Sequence, residues 1–203
     1  MNYWISCLSL ICLGCAGPAQ HFSPEPLEFP SYQEITSDFS SCSGKGKIES
    51  TGGVSGKLSF SFMSQNDSSF LQFKDPIGRK VLLMWITPQN VTAWNLIENK
   101  RYTYNEIMTF FPFLNVIEPL DVTQFLWGIE PNYEPKNGGI NSKVNHQLSL
   151  KFERKELGEN PSALVSVRFN DTGTNQSVKI NIKERSTNMS DIDLTKIWDL
   201  IST

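Results

Sequence analysis

The residue pair with the clearest chemistry is Gly14-Cys15, which closes the apolar run Ile5-Ser6-Cys7-Leu8-Ser9-Leu10-Ile11-Cys12-Leu13. A small residue before a Cys suits a peptidase that cuts ahead of the thiol, and a Cys left at a new N-terminus is a site for acylation. On this reading residues 1–14 are a lipoprotein signal peptide, Cys15 is the lipid attachment site, diacylated or triacylated, and the rest is a domain held at a membrane. No Lys or Arg precedes the run, and Cys12 stands where Leu is usual, so an ordinary secretory signal ending near a Cys stays open as the alternative. The run is shorter than the roughly 20 apolar residues that a spanning helix needs, and no later stretch comes close.

Other reactive residues do not assemble into sites. The two histidines are His21 and His146, and His21 lies in a Pro-rich stretch, so a His-based metal set or catalytic triad lacks parts. Gly52-Gly53-Val54-Ser55-Gly56 lacks the spacing of a nucleophile elbow and reads as a hairpin turn. Ser43-Gly44-Lys45-Gly46-Lys47 is not a phosphate loop, because Ile48 stands where Ser or Thr is needed. Asp191 and Asp193 read as a helix start. No catalytic residue, metal site or cofactor is expected. Cys7 and Cys12 fall in the signal, which leaves Cys42 as a lone, partly buried thiol. If Cys15 is not acylated, a Cys15–Cys42 disulfide remains open. Asn66, Asn90, Asn170, Asn175 and Asn188 match Asn-x-Ser/Thr, little above the roughly three chance matches expected in so Asn/Ser/Thr-rich a chain.

Those residues must be positioned by one domain. A chain of 203 residues, with 39% hydrophobic content and a net charge of −3, has enough for one core and lacks the basic face of a nucleic-acid binder. Residues 15–30, with Pro18, Pro24, Pro26 and Pro30, read as a tether, and 31–203 as the domain. Ser31 followed by Glu34 predicts a short capped helix up to Phe39. From Gly44 the period becomes two. Leu58, Phe60 and Phe62 alternate with polar residues, Phe70 to Phe73 follow, and Val81 to Ile86 are apolar on both faces, which predicts a central strand covered on both sides. Val91 to Asn95 and Arg101 to Tyr104 complete an antiparallel meander.

The pattern then turns helical. Ile107, Phe110 and Phe111 share one helical face, and Asp121 to Trp127 predict a second short helix stopped by Gly128. Residues 131–143 read as a loop. Three alternating strands follow: Leu148, Leu150 and Phe152; then Val165, Val167 and Phe169; then Val178, Ile180 and Ile182. The tail allows a helix after Ser190 or a strand at 197–201. The fold class expected is mainly β with α: a curved antiparallel half-barrel sheet with two apolar helices across its concave face. Leu58, Phe60, Phe62, Leu71, Phe73, Leu150, Val167 and Ile180 should face one apolar interior closed by Ile107, Phe110 and Phe111. An open cavity and a core plugged by its own side chains both satisfy this pattern.

In order and spacing, Gly56-Lys57-Leu58-Ser59-Phe60, Leu71-Gln72-Phe73-Lys74-Asp75-Pro76-Ile77-Gly78, Lys100-Arg101-Tyr102-Thr103, and Pro119-Leu120 leading into Phe125-Leu126-Trp127-Gly128 resemble the LolB family of outer-membrane lipoproteins. The resemblance spans roughly residues 31–200 and is most specific from Phe70 to Pro131. It implies a half-barrel with a helical lid, a cavity for acyl chains, and a protruding loop at Asp75, Pro76, Ile77 and Gly78, with Asp75 in the place of an Asn and Ile77 in that of a Leu. The loop's apolar residue would help deliver acyl chains to the membrane. The alternative for Ile77 is a turn residue folded back onto the core.

Two functions follow as expectations. In the first, the protein is lipid-anchored in the outer membrane, faces the periplasm, receives lipoproteins from a LolA-like carrier and inserts their acyl chains without catalysis, driven by the roughly 0.8 kcal/mol gained per buried CH₂. In the second, it is an envelope-assembly or structural lipoprotein of the same fold that binds a protein partner or another lipid.

Overall fold

The computed structural model of the chain describes residues 29–53, 55–111, 114, 117–131, 148–158 and 160–202. The signal at 1–14, Cys15, most of the 15–30 tether and the Phe110 side chain lie outside that description.

Helix α1 (Tyr32–Asp38) is followed by β1 (Ser41–Thr51), β2 (Gly56–Gln65), β3 (Ser68–Lys74), β4 (Lys80–Thr87), β5 (Asn90–Asn95) and β6 (Lys100–Tyr102). Then come α2 (Tyr104–Phe110), α3 (Pro119–Trp127), β7 (Leu148–Leu157), β8 (Asn160–Asp171), β9 (Gln176–Asn188) and α4 (Leu194–Ser202). The strands form one antiparallel sheet of nine, in the order β6-β5-β4-β3-β2-β1-β9-β8-β7. The sheet is open, with β6 and β7 at its edges. Its two halves, split in sequence by α2 and α3, meet where β1 pairs with β9.

The period-two residues fall into register across that seam. Val167 pairs with Ile180, Ile180 with Ile48, and Ile48 with Leu58, so one apolar row crosses four strands. Strand β1 has almost no apolar alternation of its own, because Gly44 and Gly46 take two of its inward positions. They sit opposite Phe62 and Phe60, and a Cβ on either would lie within 2.7 Å of the facing ring. The glycines leave room for rings that fill the space a side chain would occupy. In β8 a bulge between the Glu153 and Arg154 pairings shifts the alternation, so Leu164 rather than Val165 joins Val167 and Phe169 in the core.

Each helix packs described apolar side chains onto the sheet, with Ile107 of α2 fully buried. In α1 Ser31 and Glu34 form the expected capping box. Helix α3 starts at Pro119, ends at Gly128, and brings Val122, Phe125, Leu126 and Trp127 onto the same sheet face as Phe60, Phe62, Leu71 and Phe73. The tail is a helix, not a strand: Asp193 accepts from the Lys196 amide at its start, and Leu194, Ile197 and Trp198 pack on Phe70, Leu83 and Trp85. Met84 and Ile86 belong to the main core, whereas Leu83 and Trp85 lie on the opposite side under α4. The double-sided apolar character of β4 is thus explained by helices on both faces.

Candidate functional site: the β3–β4 turn and the apolar interior

The turn between β3 and β4 is built around one carboxylate. Asp75 Oδ1 accepts from the amides of Ile77 at 3.1 Å and Arg79 at 2.9 Å, while Oδ2 accepts from Arg79 Nε at 2.7 Å. The Gly78 amide closes onto the Asp75 carbonyl at 3.0 Å, with Gly78 at φ +88°, a conformation that costs glycine least. Burial raises the Asp75 pKa, but the hydrogen bonds and charge of Arg79, with the Ile77 amide, outweigh it and hold the carboxyl below its ordinary range. Pro76 stiffens the same turn. Ile77 is left with 76% of its surface exposed, so it does not fold back onto the core.

Of the residues expected to line the interior, those whose side chains are described come together, and Phe110 lies outside the description. Phe60, Phe62, Leu71, Phe73, Ile107 and Val167 are buried in one cluster, and Leu58, Phe111, Leu150 and Ile180 are half-buried against it. Among the described residues the voids they border are small. One void of about 20 Å³ lies between Phe125, Val122, Leu150, Phe152, Val167 and Ile180. A second, of about 30 Å³, lies between Phe60, Leu71, Phe111, Leu114, Val122 and Leu126. Each offers about the space of one water, far less than an acyl chain needs. Val122, Phe125 and Leu126 of α3 occupy the middle.

Helix α3 is held there by polar groups that the sequence reading did not single out. Trp127 Nε1 donates to Ser64 Oγ at 2.7 Å, Ser64 and Ser69 share a 2.9 Å bond, and Ser69 and Thr123 share another at 2.9 Å, all buried between α3 and strands β2 and β3. At the other end of α3, Arg185 of β9 donates from Nε to the Leu126 carbonyl at 2.8 Å and from Nη2 to the Phe125 and Leu164 carbonyls at 3.2 and 2.8 Å. The Phe125 carbonyl also accepts from the Gly128 amide at 3.0 Å and the Leu126 carbonyl faces the Cys42 thiol at 3.7 Å, so the guanidinium adds charged hydrogen bonds to the last carbonyls of the helix and opposes the negative end of its dipole. Burial lowers the Arg185 pKa, with smaller effects from Cys42 and Arg154. The signal for this role was an Arg in a strand whose neighbours are Lys and Glu, which looks like any exposed charge. A groove of about 610 Å³ opens beside it, between α1, the end of α3 and strands β7 and β8, with Arg154 on its wall.

Cys42 is fully buried rather than partly so, and is free. Burial, tempered by the charge of Arg185, pushes its thiol up to about 12. Among the described residues no group of three or more His, Cys, Asp or Glu could hold a metal ion, and no helix is long and apolar enough to cross a membrane. No protein-family model matches the chain, and no curated protein matches it.

Proposed function

We propose that this protein is a lipid-anchored envelope protein that takes up acyl chains under a helical lid and delivers them to a membrane, as the resemblance to LolB implies. The observation that carries the reading is Ile77: a large apolar side chain, 76% exposed, at the tip of a turn that Asp75 makes rigid. A mobile loop could hide such a residue, whereas this one holds it in solvent at no evident benefit to folding. On this reading the apolar sheet face under α2 and α3 is the chain-binding surface, and the described state, with its two small voids, is the closed one. For an acyl chain to enter, Val122, Phe125 and Leu126 must leave the interior. That opening breaks the Thr123 and Trp127 bonds and the Arg185 bonds, and burial of the incoming methylenes offsets the loss at roughly 0.8 kcal/mol each.

The same two voids favour a second reading, in which the interior is permanently filled and the domain is a structural or assembly lipoprotein that binds a partner. One pair of measurements separates them. The full chain should bind an acylated fluorescent peptide saturably, and Ile77→Glu should keep that binding and its melting temperature while losing transfer of a lipoprotein from a soluble carrier to liposomes. A folded protein that binds no acylated peptide leaves the filled-interior reading. Probe binding with unimpaired transfer by Ile77→Glu removes the delivery role of the turn.

A further inference from the structure

A second isoleucine stands beside the first and is held in the same way. β3 and β5 both flank β4 antiparallel, so they run in one direction and end at the same end of the sheet. Phe73 of β3 and Asn95 of β5 pair with the same residue, Leu82. Their hairpins therefore project side by side, two strand spacings or about 10 Å apart. In the β5–β6 turn, Asn95 Oδ1 accepts from the amides of Ile97 at 3.0 Å and Glu98 at 3.1 Å, as Asp75 does for Ile77 and Arg79. Trp94 Nε1 ties the far side of that turn to Asn99 at 3.2 Å. Ile97 is 62% exposed. Each isoleucine follows its clamping residue by two positions, and each points away from the core.

The charges around the two tips are mostly positive. Lys74 and Lys80 face each other across the hairpin, a like-charge pairing that costs stability, and neither makes an ion pair with a described residue. Arg79 is paired with Asp75, Lys100 with Glu106, and Arg101 lies over the Trp94 ring at 5.6 Å. Glu98 accepts from the Tyr102 hydroxyl at 2.9 Å. Lys74, Arg79, Lys80, Lys100 and Arg101 thus outnumber the carboxylates Asp75, Glu98 and Glu106.

We propose that this end of the sheet is a two-pronged contact for an anionic bilayer. Ile77 and Ile97 enter the boundary between headgroups and acyl chains, and Lys74 and Lys80 meet lipid phosphates. The proposal rests on the delivery reading of the Ile77 turn and extends it: two rigid apolar tips fix the orientation of the sheet against the membrane, which one tip cannot do. Affinity for such a surface scales with inserted apolar area plus attraction to anionic lipid.

The test is flotation of the mature chain, residues 15–203 carrying Cys15→Ser, with vesicles of phosphatidylglycerol and phosphatidylcholine, or of phosphatidylcholine alone. Ile77→Glu and Ile97→Glu should each lower binding to the anionic vesicles roughly tenfold with unchanged melting temperature. Lys74→Glu with Lys80→Glu should reduce binding on anionic vesicles to the level seen on neutral ones. Met189→Glu, at an 80% exposed methionine near the opposite end of the sheet, should change nothing. Full binding by Ile97→Glu overturns the proposal while leaving the delivery role of Ile77 standing, and so does a loss with Met189→Glu as large as with Ile97→Glu. Loss of carrier-to-liposome transfer without loss of vesicle binding places a protein partner on the tips and also overturns it. Loss of vesicle binding with intact transfer upholds the contact and removes the delivery reading.

Discussion

The Arg185 guanidinium donates from Nε to the Leu126 carbonyl at 2.8 Å, and in doing so fastens the end of helix α3 to strand β9 across the seam of the sheet. The two residues are 59 positions apart in sequence. The same side chain reaches the Phe125 and Leu164 carbonyls, so one cation serves a helix end and a neighbouring strand. No carboxylate ion-pairs with it among the described residues, and its partners are all main-chain oxygens.

Arg185→Met should therefore destabilise the fold by about 2–4 kcal/mol, the cost of losing charged hydrogen bonds to buried carbonyls and a charge at a helix C-terminus. Arg185→Lys should recover little of it, because an ammonium cannot span three carbonyls as a planar fork does. Urea denaturation of both variants checks this. If α3 is also the lid, Arg185→Met should bind an acylated probe faster than the parent does.

Gly46 tests the packing of β1. A Cβ there would sit 2.4 Å from the Phe60 ring and 2.6 Å from the Asn181 carbonyl oxygen, which belongs to the backbone and cannot rotate away. Gly46→Ala should cost about 1–3 kcal/mol of stability through overpacking. Gly53→Ala, in the β1–β2 hairpin with nothing within 4 Å, should cost far less. Thermal melts of the pair make the comparison.

The Asp75 clamp should loosen in acid. The carboxyl pKa is lowered in the folded protein, so the carboxylate contributes stability that is fully present above the ordinary Asp value of about 4 and is lost as pH falls through the folded value. The amide resonances of Ile77 and Arg79, both bonded to Asp75 Oδ1, should shift together with a midpoint below 4 on the scale of free Asp. Asp75→Asn should abolish that titration. Unlinked or absent shifts would mean that another group orders the turn.

Cys42 should be inert in the native protein. It is fully buried, its thiol is pushed up to about 12, and it is the thiol that would have to emerge for a disulfide with Cys15. A thiol reagent should label Cys42 only with the slow kinetics of unfolding and at once in denaturant. Rapid native labelling would contradict this burial. Mass analysis of the oxidised chain shows directly whether a Cys15–Cys42 bond forms.

Elements whose hydrophobic period is local could be read from consecutive residues. Alternation at Leu58, Phe60 and Phe62, or at Val178, Ile180 and Ile182, needs only a strand with one buried face, and the capping box of Ser31 and Glu34 needs only four residues. The turn at Asp75-Pro76-Ile77-Gly78 was legible for the same reason, since its chemistry is contained in consecutive residues, but the sequence left Ile77 either exposed or folded back, and only the packing put it in solvent. Features that depend on distant neighbours emerged only from the packing of the chain. Strand β1 lacks an apolar pattern because the Phe60 and Phe62 rings from β2 fill the space above its glycines. Residues Val81 to Ile86 needed two helices, one from the middle of the chain and one from its end, to cover both faces. Arg185 and the Ser64, Ser69, Thr123 and Trp127 bonds carry no sequence mark, since a hydroxyl or guanidinium reads as a surface group until burial removes its water. The pairing of Ile97 with Ile77 likewise follows only from the strand order, which places two hairpins 20 residues apart in sequence at one end of the sheet. Whether the interior is open or filled was undecidable from pattern, because the same apolar residues serve both, and volume is set by how closely α3 packs against the sheet.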